Sequence, residues 1–370
     1  MIHRLQFLSA MLLLPFLIMC HKTSSTAAAA ASVPSNYYLY SANSSSNDIS
    51  MFQMNANTGI LTKIAANVPA HSSPINLAGG GGGAAAFLYA ANSGSNDISG
   101  YSVNPATGAL TSLAGSPFSA GFVGLEAIAG TPGYIYAVSQ ATNKIYCFTI
   151  DQVTGALTAN GNWSTGSTPV EVVVDDTLSF VYVANNSSNN LSGFSINQST
   201  GALTPVPGSP FAAGATPNGI ANAGPFLFVA ATGGNQIASY TIDQSTGALT
   251  AAAGSPFASS LSYVIGAYPT SQFVYIQGGA TTIEGHTSNS SAVLSGMTGS
   301  PFSMGSTGPN GGFTFDPTLH FMYAHGNDGT VYAFAVDPVT GALTALSTPS
   351  FAAGSGSGGI NSLIMGAFPQ

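Results

Sequence analysis

Short runs of aromatic and β-branched residues alternate along this chain with clusters of Asn, Ser, Gly and Thr, and the alternation itself repeats. Tyr38-Leu39-Tyr40, Phe87-Leu88-Tyr89, Tyr134-Ile135-Tyr136, Phe180-Val181-Tyr182, Phe226-Leu227-Phe228, Phe273-Val274-Tyr275 and Phe321-Met322-Tyr323 recur about every 47 residues. A period between 20 and 50 marks a repeat architecture. After each run come a polar loop, a second apolar alternation and a Thr-Gly-Ala-Leu-Thr turn. That turn stands at Thr107–Thr111, Thr154–Thr158, Thr200–Thr204, Thr246–Thr250 and Thr340–Thr344, with a variant at Thr58–Thr62.

The fifth unit shows how one repeat reads as strands. Pro217 to Asn222 is a first strand, Phe226 to Ala230 a second, and Ile237 to Ile242 an alternating third. In Asp243-Gln244-Ser245-Thr246-Gly247 the carboxylate bonds forward to backbone N–H groups and the Gly takes a positive φ. Ala248 to Ala252 begins a fourth strand, which Gly254-Ser255-Pro256-Phe257 ends. Past the first 36 residues nothing of helical length shows a 3.6-residue apolar period. Seven units of four antiparallel strands predict an all-β, seven-bladed β-propeller over residues 37–370. The chain enters at a second strand, Tyr38, and ends with a surplus first strand, Gly359 to Met365. That last strand is expected to complete the first blade and remove a sheet edge. Gly79 to Gly83 is expected to lengthen a hairpin loop, and Ser290 to Leu294 makes blade six the degenerate one.

Composition narrows the function classes. Only 4% of residues are charged and the net charge is -8, which argues against a nucleic-acid partner. Residues 1–20 read as a signal peptide, with Arg4 before an apolar stretch from Phe7 to Met19 that is too short to span a bilayer. Leu17-Ile18-Met19-Cys20 resembles a lipobox, which would acylate Cys20, although Met19 is larger than usual there. Cleavage at a small-x-small site within Thr26–Ala31 is the alternative. Residues 21–36 suit a flexible tether, leaving membrane contact to the lipid alone. Cys147, the other cysteine, lies in a strand pattern and reads as a buried thiol.

Three recurring features resemble the seven-bladed lactonase-like propellers of the 6-phosphogluconolactonase and carboxymuconate cycloisomerase type. They are the Asn-bearing turns after the aromatic strand (Ala42-Asn43, Ala91-Asn92, Ala184-Asn185), the Thr-Gly-Ala-Leu-Thr turns, and the Gly-Ser-Pro-Phe segments (Gly115–Phe118, Gly208–Phe211, Gly254–Phe257, Gly299–Phe302). The resemblance implies a lactonase fold and, for the active relatives, basic residues near the channel. This chain has Arg4 alone, with Lys22, Lys63 and Lys144, so it lacks a guanidinium fork for a phosphorylated sugar.

Candidate chemistry gathers where the inner strands begin, at Asn76, Glu126, Glu171, Asn218, Asn310 and Asn361. Glu126 and Glu171 are expected at matching places in adjacent blades, and with Asn218 and Asn310 they form a candidate oxygen-ligand ring for Ca²⁺. The competing reading is a set of polar residues lining a wet channel. His325 is expected on the channel-mouth face as a candidate general base. Asp151, Asp243 and Asp337 repeat at the turns, and Asp48, Asp97 and Asp328 fall in the loops. The sequence alone favours a monomeric, exported, lipid-anchored scaffold that binds an envelope protein or a glycan and needs no cofactor. The alternative is a lactonase-type hydrolase or isomerase acting on an uncharged lactone or sugar, with Glu126, Glu171 and His325 as its site and possible Ca²⁺ dependence.

Overall fold

A computed structural model describes residues 35–81, 86–260, 263–268, 272–277, 281–304, 309–326, 328–354 and 363–369. Cys20, the proposed tether up to residue 34, Gly82, Gly83 and Asn361 lie outside them. The strands form seven antiparallel sheets, each running inner, second, third and outer in order around a β-propeller. Blade 1 comprises Leu363–Pro369, Ser35–Asn43, Asp48–Met54 and the outer pair Leu61–Lys63 and Val68–Pro69. The inner strands of blades 2 to 7 are Pro74–Gly80, Leu125–Gly130, Pro169–Val174, Pro217–Ala223, Val264–Ala267 and Pro309–Phe315. The closing strand begins at Leu363 and pairs with the second strand of blade 1 from Ser35↔Pro369 to Ser41↔Leu363, as the surplus strand predicts. Gly79 and Gly80 belong to the inner strand of blade 2 and not to a loop.

There is no single core. Seven apolar clusters each fill the gap between two neighbouring blades, the last joining blade 7 to blade 1 through Phe321, Tyr323, Leu39 and Phe52. Both faces of every second strand are therefore covered, so strands such as Phe87–Asn92 and Phe180–Asn185 are buried at every position. Burial of both faces is why these segments read as unbroken apolar runs.

The Thr-Gly-Ala-Leu-Thr turn does more than reverse the chain. In six of the seven blades the Tyr in the middle of the second strand donates its hydroxyl to the Gly carbonyl of the next blade's turn. Tyr40 reaches Gly108, Tyr89 reaches Gly155, Tyr136 reaches Gly201 and Tyr182 reaches Gly247, at 2.7–3.0 Å. Tyr275 reaches Gly341 and Tyr323 closes the circle on Gly59, both at 2.6 Å. Gly108 has φ +69, and a Cβ there would lie 2.3 Å from the Tyr38 ring, so only glycine fits. Blade 5 has Phe228 in place of the tyrosine. There Ser239 Oγ donates to the carbonyl of Ala292, the residue that replaces the glycine in blade 6.

The Gly-Ser-Pro-Phe segment interrupts the outer strand and does not end it. In blade 5, Leu249–Ala251 and Phe257–Ala258 both pair with the third strand, Gln236–Ile242. Between them the Ser255 hydroxyl accepts from Ser239 N at 3.0 Å, filling the place of a missing strand partner. Ser116, Ser209 and Ser300 do the same for Gly100, Gly193 and Gly285.

Candidate functional site

The inner strands of blades 2 to 5 share an irregularity at their second residue. Pro74, Leu125, Pro169 and Pro217 pair regularly, the next residue is bulged out, and pairing resumes at Asn76, Ala127, Glu171 and Gly219. The bulged residues are Ile75, Glu126, Val170 and Asn218, and all four are half-buried. Glu126 and Glu171 therefore do not occupy matching places, contrary to the sequence reading. Glu126 matches Asn218, whereas Glu171 matches Asn76, one residue further along. Side chains alternate sides along a strand, so one position separates a rim residue from one packed between blades. Glu171 is 1% exposed, as is Asn76.

Each of these side chains has a local task. Asn76 Oδ1 accepts from Ile128 N of the next blade at 3.1 Å, and Asn218 Nδ2 donates to Tyr263 O at 3.2 Å. Glu171 Oε1 accepts from Val172 N at 3.2 Å. Asn310 lies on the inner strand of blade 7, its side chain outside the described set. The four proposed ligands are thus spread over two strand positions. Among the described residues, no three His, Cys, Asp or Glu side chains are grouped to hold a metal.

Glu126 is different. Its Oε2 accepts from Gln140 Nε2 at 2.8 Å, and burial pushes its carboxyl above the usual range. It is the one carboxylate at the bulged position in blades 2 to 5. Deeper in the channel lies a cavity of about 320 Å³, lined by Leu77, Ile128, Val172, Phe313, Leu363 and neighbouring inner-strand residues with no ionisable group.

His325 is not on the channel-mouth face. It lies within the second strand of blade 7, fully buried, with Nε2 3.3 Å from Ser41 Oγ across the junction with blade 1. Burial depresses its pKa to about 4, against a smaller upward pull from Asp328. An imidazole so enclosed cannot reach a substrate. The aspartates behave as the sequence reading expects. Asp151, Asp243 and Asp337 accept from backbone N–H groups two and three residues on. Asp48 is bonded by Asn43 and Asn67, Asp328 by Thr330 and Tyr332, and Asp97 by Asn92 and His71.

Sequence reasoning missed two acid–base pairs, His71 with Asp97 across blades 1 and 2 and Glu284 with His286 in blade 6. Glu284 Oε1 lies 2.8 Å from His286 Nε2, and Oε2 accepts from Ser259 Oγ and Ser260 N. For Glu284 and His286, spacing at i and i+2 on a strand, in the blade with the weakest repeat, was the available signal.

The sequence profile described as lactonase, 7-bladed beta-propeller, matches residues 17–122 and 127–218, more than half of the 370 residues. The chain belongs to this family. Among solved structures this lactonase-family protein is similar to the periplasmic gluconolactonase PpgL of Pseudomonas aeruginosa. The two are 14% identical with a TM-score of 0.71, over 90% of this chain and 99% of that one. A candidate 6-phosphogluconolactonase of Bacteroides fragilis is 16% identical with a TM-score of 0.68, over 92% and 100%. A protein from Lactobacillus plantarum is also 16% identical, with a TM-score of 0.70, over 90% and 99%. At such identities the likeness is one of fold. No curated protein matches the sequence.

Proposed function

We propose that this lactonase-family propeller is an exported hydrolase that opens an uncharged, sugar-derived lactone at the channel rim, with Glu126 as general base. One observation carries the proposal: a half-buried carboxyl, held by Gln140 and raised by desolvation, at the bulge where the inner strand of blade 3 begins. Ionised Glu126 takes a proton from water as its oxygen attacks the lactone carbonyl. The ring C–O bond then breaks, the alkoxide leaving group takes the proton back, and the product is a hydroxy acid. Four basic residues in the whole chain suit a substrate without phosphate. Family membership and the Glu126 geometry favour this reading over a pure binding scaffold.

The test is hydrolysis of a neutral aldonolactone, followed by acid release, in the wild type and Glu126→Gln. The expected loss is on the order of 10²–10⁴-fold, the usual contribution of a positioned general base. Wild-type rates should rise with pH through the raised Glu126 pKa and level off above it, because the base must be ionised. Equal rates in the two proteins would overturn the assignment. Export with Cys20 as the lipid site belongs to the same proposal. Cys20→Ser should release the protein from the membrane fraction of expressing cells, and an unchanged distribution would remove the anchor.

A further inference from the structure

The seven blades are close copies, so departures from the repeat stand out, and one on the Glu126 side of the ring lies in blade 3. The connection entering that blade, Ala120 to Leu125, is one residue longer than its counterparts Ala70 to Pro74 and Ala213 to Pro217. It carries Phe122 and Val123, and Val123 is 61% exposed. The Phe122 ring stacks on Tyr146, with centroids 3.8 Å apart and planes at 18°. In blades 1, 2 and 4 the third-strand position of Tyr146 holds Ser50, Ser99 and Ser192. Both rings are half-buried, packed against the apolar cluster between blades 2 and 3 and partly open to solvent.

One short loop joins this stack to the carboxylate. Gln140 at its start bonds Glu126, and two residues on, Thr142 Oγ1 lies 3.1 Å from Tyr146 OH. We infer that Phe122 and Tyr146 form a platform for a neutral sugar ring of the substrate, which stacks there while its lactone carbonyl is presented to Glu126. This inference rests on the lactone-hydrolase reading. A sugar ring has a polar rim of hydroxyls and a less polar C–H face, and an aromatic face is negative enough to attract those C–H groups. The exposed amide of Gln140 and hydroxyl of Thr142 suit the ring's hydroxyls. Of the two lysines among the described residues, Lys63 and Lys144, only Lys144 belongs to blade 3, two residues before Tyr146 on the same strand. One ammonium does not match the two charges of a phosphomonoester.

The experiment uses the full chain, a non-hydrolysable neutral aldonolactam and the corresponding uronic acid as binding probes, and a neutral aldonolactone as substrate. Saturation-transfer NMR should show the lactam C–H protons against the protein, with the signal lost in Phe122→Ala and Tyr146→Ala and kept in Tyr146→Phe and Glu126→Gln. Phe122→Leu retains apolar bulk between the blades but no flat face, and should also lose binding at an unchanged melting temperature. In hydrolysis, Phe122→Leu should raise KM about tenfold with little change in kcat, the pattern of lost uniform binding. Wild-type hydrolysis with lactam binding untouched in Phe122→Leu and Phe122→Ala would overturn the platform and leave the hydrolase. Platform-dependent binding without any hydrolysis would do the reverse. Preference for the uronic acid would overturn the assignment of a neutral ring, and neither binding nor hydrolysis would overturn both.

Discussion

Two ionisable side chains enclosed by the propeller, His325 and Glu284, make acid its weakness in two separate pH windows. Burial lowers His325 from an ordinary value of 6.5 to about 4, so the unfolded chain takes up a proton first as pH falls. Stability from the neutral imidazole is complete above pH 6.5 and is lost between 6.5 and about 4, by about 3 kcal/mol at most from linkage. For Glu284, burial raises the carboxyl, but hydrogen bonds from His286 and Ser260 outweigh it and bring the pKa from 4.5 to about 2. Its contribution is present above pH 4.5 and is lost as pH falls towards 2. Melting temperature against pH should therefore decline in two steps. His325→Gln should flatten the upper step and Glu284→Gln the lower one, and coincident profiles for all three proteins would refute the assignment. His325 stands where five of the other blades carry alanine or valine (Ala42, Ala91, Val138, Ala184 and Ala230), and that substitution is visible in the aligned repeats. Its burial was not visible, because a residue one place from a strand end reads equally well as loop.

Among the elements, the second strand and the turn that follows in the next blade behave as one unit. The tyrosine hydroxyl is satisfied only by a carbonyl some 65 residues away, and that carbonyl is exposed to it only because the turn residue has positive φ. Blade 5 shows the dependence by exception, since the loss of the tyrosine at Phe228 comes with a serine at Ser239 on the same carbonyl. Ser239→Ala should cost about 1–3 kcal/mol, the usual penalty for a buried carbonyl left without a donor. Adding Phe228→Tyr should restore most of it, because the new hydroxyl takes the place held by tyrosine in the other six blades. A double-mutant cycle by urea denaturation measures the coupling, and additive losses would mean the two devices are independent. The aromatic-x-tyrosine run and the glycine turn were each legible along the chain. Their hydrogen bond was not, because partners belong to different repeats.

At the scale of the molecule, stability depends on closing the ring. The strand Leu363–Pro369 is the inner strand of blade 1, and Leu363 packs in the cluster that joins blades 7 and 1. Without it the second strand of blade 1 has an open edge. Ending the chain at Gly359 should abolish the sharp cooperative melt and give aggregation on size-exclusion chromatography, whereas a monomer with the wild-type melting temperature would show the closure to be dispensable. The seven-fold pattern also explains how far a candidate site can be read. Closely repeated blades make Glu126, Phe122 and Tyr146 conspicuous as deviations, yet repeats alone do not say which deviations meet.

Strand number, blade order, the closing strand and the turn chemistry followed from the sequence alone, because each depends on local periodicity and on residues with restricted backbones. Three things waited for the tertiary structure: the bulge on which Glu126 sits and past which Glu171 falls, the burial of His325 between the last blade and the first, and the contacts that link Glu126 through Gln140 and Thr142 to the Phe122–Tyr146 stack. A bulge shifts the register by one residue and reverses every side chain beyond it, and contacts between blades join residues far apart in the chain. Neither leaves a mark in the period of the pattern, so the propeller was legible in the sequence and the site became legible only when the blades were packed.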